Sequence, residues 1–472
     1  MRVLVLLLVS AGLVGCAVGP DFKRPAPPDA SDYGSASQGL TLGQEVPADW
    51  WTVYQSTQLN QLIEQALQAN PDVHAAEAAL RQAHELYAAQ RTSLWPVVQG
   101  SFDANRSKYA TGPITAPTNS PSPTYNLYTA QLTVSYMPDV FGGVRRAVEA
   151  SHAQEDVSRF QLEAAYLTLE SNVVVTAIQE ASLREQLAAT ERLLAVQQQL
   201  TDKVKGQQAL GTASRLDLLA QQSAEAQTAA TLPPMRKQLA QTRDALTALL
   251  GRLPSDEPRA TFQLAELTLP ADLPVSLPSK LVEQRPDIRQ AEANMHVASA
   301  AVGVALANML PQFLITADMG SSALRIVDLL KTGSGFWDAG ASLTQTLFDA
   351  GALIHKHRAA EAALDQAGAQ YRSAVINAFA NVADTLHALQ MDEAAVKANA
   401  DAEQAAHSAF ELAQRQLQLG TINFVSVLNA ETAYRQAAVV LMQARAGRYS
   451  DTAALFQALG GGWWNRARGR TS

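Results

Sequence analysis

Two hydrophobic periods alternate along this chain. Where apolar residues recur every three or four positions, the chain reads as helix; where they alternate singly, it reads as strand. Leu59, Leu62, Ile63, Ala66 and Leu67 open a helical stretch running to about Leu94, with Pro96 as its stop. From about Phe141 to Leu210 some 70 residues pass without a proline. Within them Leu162, Leu169 and Leu183 fall on multiples of seven, as do Leu187 and Leu194, which predicts a long helix of coiled-coil character. Leu210-Gly211-Thr212 breaks the pattern, and a shorter helix follows to Leu250, with a kink or break expected at Pro233-Pro234. Between the first helix and the long one, two runs alternate as strands. Val98, Gly100, Phe102 and Ala104 oppose Gln99, Ser101, Asp103 and Asn105. Tyr128, Ala130, Leu132, Val134 and Tyr136 oppose Thr129, Gln131, Thr133 and Ser135.

The same order then repeats. Helices are expected over 280–309, 348–419 and 421–459. Strands are expected around Phe313, Ile315, Ala317 and Met319, and around Trp337, Ala339, Ala341 and Leu343. Single residues recur as well: Pro71-Asp72-Val73 as Pro286-Asp287-Ile288, Leu210-Gly211-Thr212 as Leu419-Gly420-Thr421, and Leu250-Gly251 as Leu459-Gly460. A period near 210 residues far exceeds the roughly 20–50 of a solenoid. It marks a duplicated unit and a pseudo-symmetric object, which suits a wall, ring or channel better than a single asymmetric catalytic site. The expected divisions are a leader over 1–15, a linker over 16–57, repeats over 58–250 and 282–460, an inter-repeat linker over 251–281 and a tail over 461–472.

Lengths sharpen this. A helix of about 70 residues is about 105 Å long, far more than a membrane is thick, and its polar surface places it in water. The two shorter helices of each repeat together match that length, so each repeat can form two rods of equal height. Each strand candidate has about nine usable residues, enough to cross a bilayer when tilted, although a soluble sheet with one buried face has the same pattern. Tyr128, Tyr136 and Trp337 are candidate membrane-interface aromatics. Four strands cannot close a barrel, and an open edge is not tolerated in lipid. Spanning strands must therefore be shared, eight in a dimer or twelve in a trimer.

The chain's start adds an address. Met1-Arg2 and an apolar run to Val14 form a signal segment too short to span, ending at Leu13-Val14-Gly15-Cys16. Cys16 is the only cysteine, so it makes no internal disulfide, and its position predicts lipidation. A net charge of −8 without a long basic block argues against nucleic acid as a partner. No phosphate loop, nucleophile elbow or His-Glu-x-x-His occurs. His355 and His357, two apart, point to different helix faces and make a poor metal pair. No catalytic site, cofactor or metal is expected.

These residues together resemble a known family. Cys16-Ala17-Val18-Gly19-Pro20-Asp21-Phe22, Trp50-Trp51, Asn70-Pro71-Asp72 and Asp139-Val140-Phe141-Gly142-Gly143 occur in that order. Arg285-Pro286-Asp287-Ile288, Leu347-Phe348-Asp349-Ala350-Gly351, both Leu-Gly-Thr turns and Leu459-Gly460-Gly461-Gly462-Trp463 follow. Their order and spacing resemble the TolC/OprM-type outer-membrane efflux family, in its NodT-type lipoprotein branch. The resemblance implies an α+β membrane protein: a homotrimer with a long α-helical coiled-coil barrel and a transmembrane β-barrel shared between three chains. It implies a passive duct for small molecules in a tripartite efflux system, with a periplasmic adaptor and an inner-membrane pump as partners and outer-membrane lipid around the barrel. The lipobox and the C-terminal ending point to a proton-driven pump; a type I protein-secretion duct and a lipid-anchored scaffold without a barrel are the rivals.

The resemblance also puts Leu210, Gly211, Thr212, Leu419, Gly420 and Thr421 at a periplasmic tip that docks the adaptor. Acidic residues of the family's closed entrance align here with Ser426 and Asn429, neither of which is acidic. Asp217 occupies the place equivalent to Ser426. Asp217, Phe424, Ser426 and Asn429 are thus the pore-constriction candidates, with Leu428 a further apolar one. Asp217 equally fits a solvated helix-start residue favoured by the helix dipole.

Overall fold

The computed structural model describes residues 17–29, 32–34, 43, 45–108, 124–257, 262–269, 275–276 and 278–466. Cys16 and the preceding leader lie outside the described residues, as does most of the loop joining the first two strands.

Proline decides where the first helix of each repeat begins. The stretch expected as one helix from Leu59 is two: α1 (Thr57–Ala69) and α2 (Pro71–Thr92). Pro71 has no N–H to continue the ladder and forces its predecessor out of helical geometry, so Asn70 is extended. Asn70 Oδ1 then accepts from the N–H groups of Asp72 and Val73 as a cap. The second repeat splits likewise at Pro286, into α5 (Pro278–Gln284) and α6 (Pro286–Ala307).

The long helices match their expected limits closely: α3 is Gly143–Ala209 and α7 is Ala352–Gln418, each of 67 residues. Each opens on an aspartate. Asp139 accepts from the N–H groups of Val144 and Arg145, and Asp349 from those of Leu353 and Gly351. These backbone donors hold the Asp349 carboxyl below the usual carboxylate range. The returning helices are α4 (Arg215–Leu249) and α8 (Phe424–Ala458). α4 continues through Pro233-Pro234, so of the kink or break expected there the break does not occur. Both prolines are exposed; of the residues whose carbonyls lose a donor, Ala229 is half-buried and Ala230 exposed.

Four strands form one antiparallel sheet in chain order: β1 (Val97–Lys108), β2 (Thr124–Tyr136), β3 (Gln312–Ala323) and β4 (Gly335–Thr344). The two hairpins join through β2 and β3, where Leu132 faces Met319 and Val134 faces Ala317. No helix among the described residues is long and apolar enough to cross a membrane.

The chain divides into two compact units, and each draws on both repeats. One comprises Leu80–Ser158 and Ala291–Tyr371 together with the residues up to Pro25. Here the residues after Cys16 lie as a strap. Val18 N–H donates to the Phe141 carbonyl, Arg146 donates to the Val18 carbonyl and to Asp21, and Phe22 stacks on His296 at 4.3 Å. Ala17 runs so near Gly142 that a Cβ there would lie 2.5 Å from the Ala17 Cα.

The other unit comprises Ala26–Ala79, Arg159–Gln290 and Arg372–Ser472. Its core gathers Trp50, Tyr54, Leu59, Ile63, Ile178, Leu250, Leu455 and Phe456, all buried. Trp50 stacks on Phe456 at 5.3 Å and donates its indole N–H to Glu170 Oε2 at 3.2 Å. Arg466 donates to the other Glu170 oxygen at 3.0 Å. Burial nevertheless pushes the Glu170 carboxyl up to about 8.

Candidate functional site

Two surfaces stand out, one in each unit. The first is the pair of turns that end the long helices. Gly211 and Gly420 adopt φ of +77° and +71°, the left-handed region that glycine enters without strain. Each turn closes its helix in the same way. Gly211 N–H donates to the Gln208 carbonyl and Thr212 N–H to that of Gln207; Gly420 and Thr421 do the same to Leu417 and Gln416. Both threonine hydroxyls add a bond of 3.0 Å to the same glutamine carbonyl. The leucines have no such internal use: Leu210 is 82% exposed and Leu419 is 77%. A large apolar side chain left in water at a rigid turn is available to a partner.

The next three or four residues cap the returning helices. Ser214 Oγ accepts from Asp217 N–H at 3.1 Å, while Asp217 Oδ2 accepts from Ser214 N–H at 3.0 Å and from its hydroxyl at 2.7 Å. In the second repeat Asn423 Oδ1 accepts from Ser426 N–H at 3.0 Å and from its hydroxyl at 2.8 Å. The acid sits three residues into α4, whereas the acceptor of α8 is the cap residue itself. Asp217 is therefore spent on a reciprocal capping box, and Ser426 on the mirrored arrangement. Ser214 and Asn423 were not singled out from sequence, although Ser-x-x-Asp before an apolar run was a legible signal. Ser426 and Asn429 are exposed and Leu428 half-buried, while Phe424 is buried within its own chain. Val427 beside it is buried too, so the first apolar turn of α8 faces its own fold.

The second surface is the sheet. The register aligns the alternation of all four strands, so one face collects Val98, Phe102, Leu132, Val134, Ile315, Met319, Trp337 and Leu343. These side chains are largely uncovered: Trp337 is 80% exposed, Met319 63% and Phe102 56%. On this face Tyr136 ends β2 and Tyr128 lies eight residues before it, about 27 Å along the strand. Trp337 lies opposite Met319, which lies opposite Leu132, so its row falls midway between the two tyrosine rows.

The opposite face is polar. Thr129 hydrogen-bonds Ser322 across β2 and β3 at 3.2 Å, and the Thr133 hydroxyl donates to Asp318. Asp318 stands directly opposite Asp338. Like charges in register are unfavourable unless water screens them, so this face belongs in water. β1 and β4 are the sheet's edges, each with a row of backbone groups unpaired by the described residues. Those residues hold no group of three or more metal-ligating side chains.

The chain matches the family model described as "Outer membrane efflux protein" over residues 62–252 and 277–461. It is similar to the pyoverdine export outer membrane protein OpmQ of Pseudomonas putida, 31% identical over 466 residues, covering 98% of each chain. It is also similar to the cation efflux system protein CusC of Escherichia coli, 26% identical, covering 96% of this chain and 97% of that one. Among solved structures, the outer-membrane channel OprN superposes with a TM-score of 0.87 at 26% identity, over 95% of this chain and all of that one. The open state of the Neisseria gonorrhoeae MtrE outer membrane channel does so with a TM-score of 0.81 at 25% identity, over 95% and 99%.

Proposed function

The chain belongs to the outer membrane efflux protein family, and from that membership we propose how its parts work as the channel component of a tripartite efflux system. The carrying observation is the uncovered four-stranded sheet with two open edges. In lipid every backbone group must find a partner, so β1 of one chain pairs with β4 of the next. Three chains close a twelve-stranded barrel. Its apolar face meets lipid, and the face with Asp318 and Asp338 lines a wet lumen. The 67-residue helices of three chains continue as a helical barrel in the periplasm.

The duct is passive. An inner-membrane pump driven by protons supplies energy, and a periplasmic adaptor joins pump to duct. The docking surface is the pair of turns, with Leu210 and Leu419 entering apolar recesses of the adaptor and Gly211 and Gly420 fixing the angle. Cys16 carries the lipid anchor. Support comes from the strap behind it, which ties residues 18–24 to α3 and α6 by Arg146, His296 and the Arg24–Glu292 pair at 3.1 Å. The exported class is small molecules. Similar proteins are named for pyoverdine, for toluene and for cations, so the choice among substrates belongs to the pump rather than to this duct.

Replacing Gly211 and Gly420 together by proline forces φ to about −65° and removes two turn hydrogen bonds. The double variant should still form a heat-modifiable trimer in detergent but export no dye from cells. Wild-type dye export by this variant would overturn the docking assignment.

A further inference from the structure

α8 meets α3 and α4 through a seam that is polar where apolar packing would be ordinary. Arg435 Nη1 donates to Thr228 Oγ1 at 2.9 Å, and Gln221 Nε2 donates to the Gln197 main-chain carbonyl at 2.9 Å. In the same seam Glu431 is 1% exposed, with the Gln197 carboxamide beside it. No well-aligned hydrogen bond reaches either Glu431 oxygen, although the Gln197 carboxamide lies close enough to donate, and Gln197 Oε1 and Gln221 Oε1 also lack a donor. Four buried acceptor oxygens thus lie in one seam without a well-placed donor.

An ionised carboxylate here would give up its water and gain no well-aligned donor in return. A proton resolves the count, because a neutral acid turns one acceptor into a donor that can serve Gln197 Oε1. A hard metal ion suits the site less well, since calcium takes six to eight oxygen ligands. Burial pushes the Glu431 carboxyl above its ordinary range, outweighing the opposing influence of Gln197 and Arg435.

We infer that Glu431 is a proton-binding latch: it is neutral while α8 is seated on α3 and α4, and it gives up its proton when α8 draws away. On release, water reaches the carboxylate, and Arg435 exchanges Thr228 for Glu431. The two stand four residues apart on α8 with the acid on the N-terminal side, the favourable order for a helical ion pair. Other charged groups stand near the seam. Glu225 on α4 accepts from the Thr201 hydroxyl of α3 at 2.6 Å. Glu403 and His407 of α7 and Arg192 of α3 stand around Tyr434, one turn along α8 from Glu431. The seated seam holds the extra proton, so it is tightest below the ordinary glutamate range and loosens as pH rises through the raised value.

This inference rests on the channel reading and is tested beside it. The full-length trimer is reconstituted in planar bilayers, and open probability is followed from pH 5 to pH 8. Wild type should open more as pH rises, by roughly threefold or more, and Glu431→Gln, a neutral isostere, should flatten that response at the low-pH level. Infrared difference spectra of the detergent-solubilised trimer should show a protonated-carboxyl band that Glu431→Gln removes. The same pH response in Glu431→Gln, or no such band in wild type, overturns the latch. So does a response that follows added calcium chloride at fixed pH, which would put a metal in the seam. Absence of conductance at every pH would overturn the channel reading instead, while the infrared band would still report on Glu431.

Discussion

The two repeats build the same corner with different residues. Where α4 ends against α2, Asn70 Nδ2 donates to the Leu249 carbonyl at 2.9 Å. Where α8 ends against α6, the equivalent Arg285 donates through Nη1 to the Ala458 carbonyl at 2.9 Å, and holds Asp287 with Nε and Nη2 at 3.0 and 2.7 Å. Val73 and Ile288, one turn into each helix, are buried beneath the corner, as are Leu250 and Leu459. The glycine that follows each leucine has positive φ and lies against the last carbonyl of the short helix before the corner, α1 in the first repeat and α5 in the second. A Cβ on Gly251 would come 2.2 Å from the Ala69 oxygen, and one on Gly460 would come 2.7 Å from that of Gln284. In each repeat the end of one short helix is thereby set against the start of another. The difference teaches that the duplication preserved a geometric requirement, a donor aimed at the last helical carbonyls, and left open which side chain supplies it.

The largest effect should come from filling a corner glycine. Gly251→Ala meets a carbonyl oxygen and keeps a left-handed φ, so it should cost about 3 kcal/mol or more. Gly211→Ala, with nothing within 4 Å of the new Cβ, should cost only about 1 kcal/mol of backbone strain. Denaturant midpoints of the detergent-solubilised trimer measure both, and equal costs would erase the distinction between corner and tip.

Next come the corner donors. Arg285→Ala strands the Ala458 carbonyl and a carboxylate and should cost about 2–3 kcal/mol, against about 1–2 for Asn70→Ala, which loses a cap and one neutral bond. If the asparagine proves the costlier, the first repeat leans on its corner more than the second.

The smallest effects should come from the tip caps. Asp217→Ala leaves Ser214 as cap and should cost about 0.5–1 kcal/mol, with Ser426→Ala below it because Asn423 remains. Conductance separates cap from gate: a cap-only Asp217 predicts unchanged cation selectivity for Asp217→Ala in planar bilayers. A fall in selectivity would show that three Asp217 carboxylates face the lumen.

Much of this was legible locally. The helical and alternating periods located every long element, because a single apolar face per helix or strand is set by residues a few positions apart. The Leu-Gly-Thr and Leu-Gly repeats marked positive-φ helix ends for the same reason. Missed were the breaks at Asn70-Pro71 and Arg285-Pro286, where the apolar pattern continues across a proline that the backbone cannot, and the uninterrupted α4, whose paired prolines stand where water can take the freed carbonyls.

The sequence by itself determined the duplication, the element order and the two-faced strands, since all of these follow from periodicity and punctuation along the chain. Only the tertiary structure decided that β2 joins β3 into one open-edged sheet and that Arg285 does the work of Asn70. It likewise decided that Trp50 and Arg466 meet on Glu170, and that Glu431 is buried. Those facts depend on partners up to several hundred residues away. Burial and hydrogen-bond satisfaction are properties of the packed neighbourhood, and no window of sequence contains that neighbourhood.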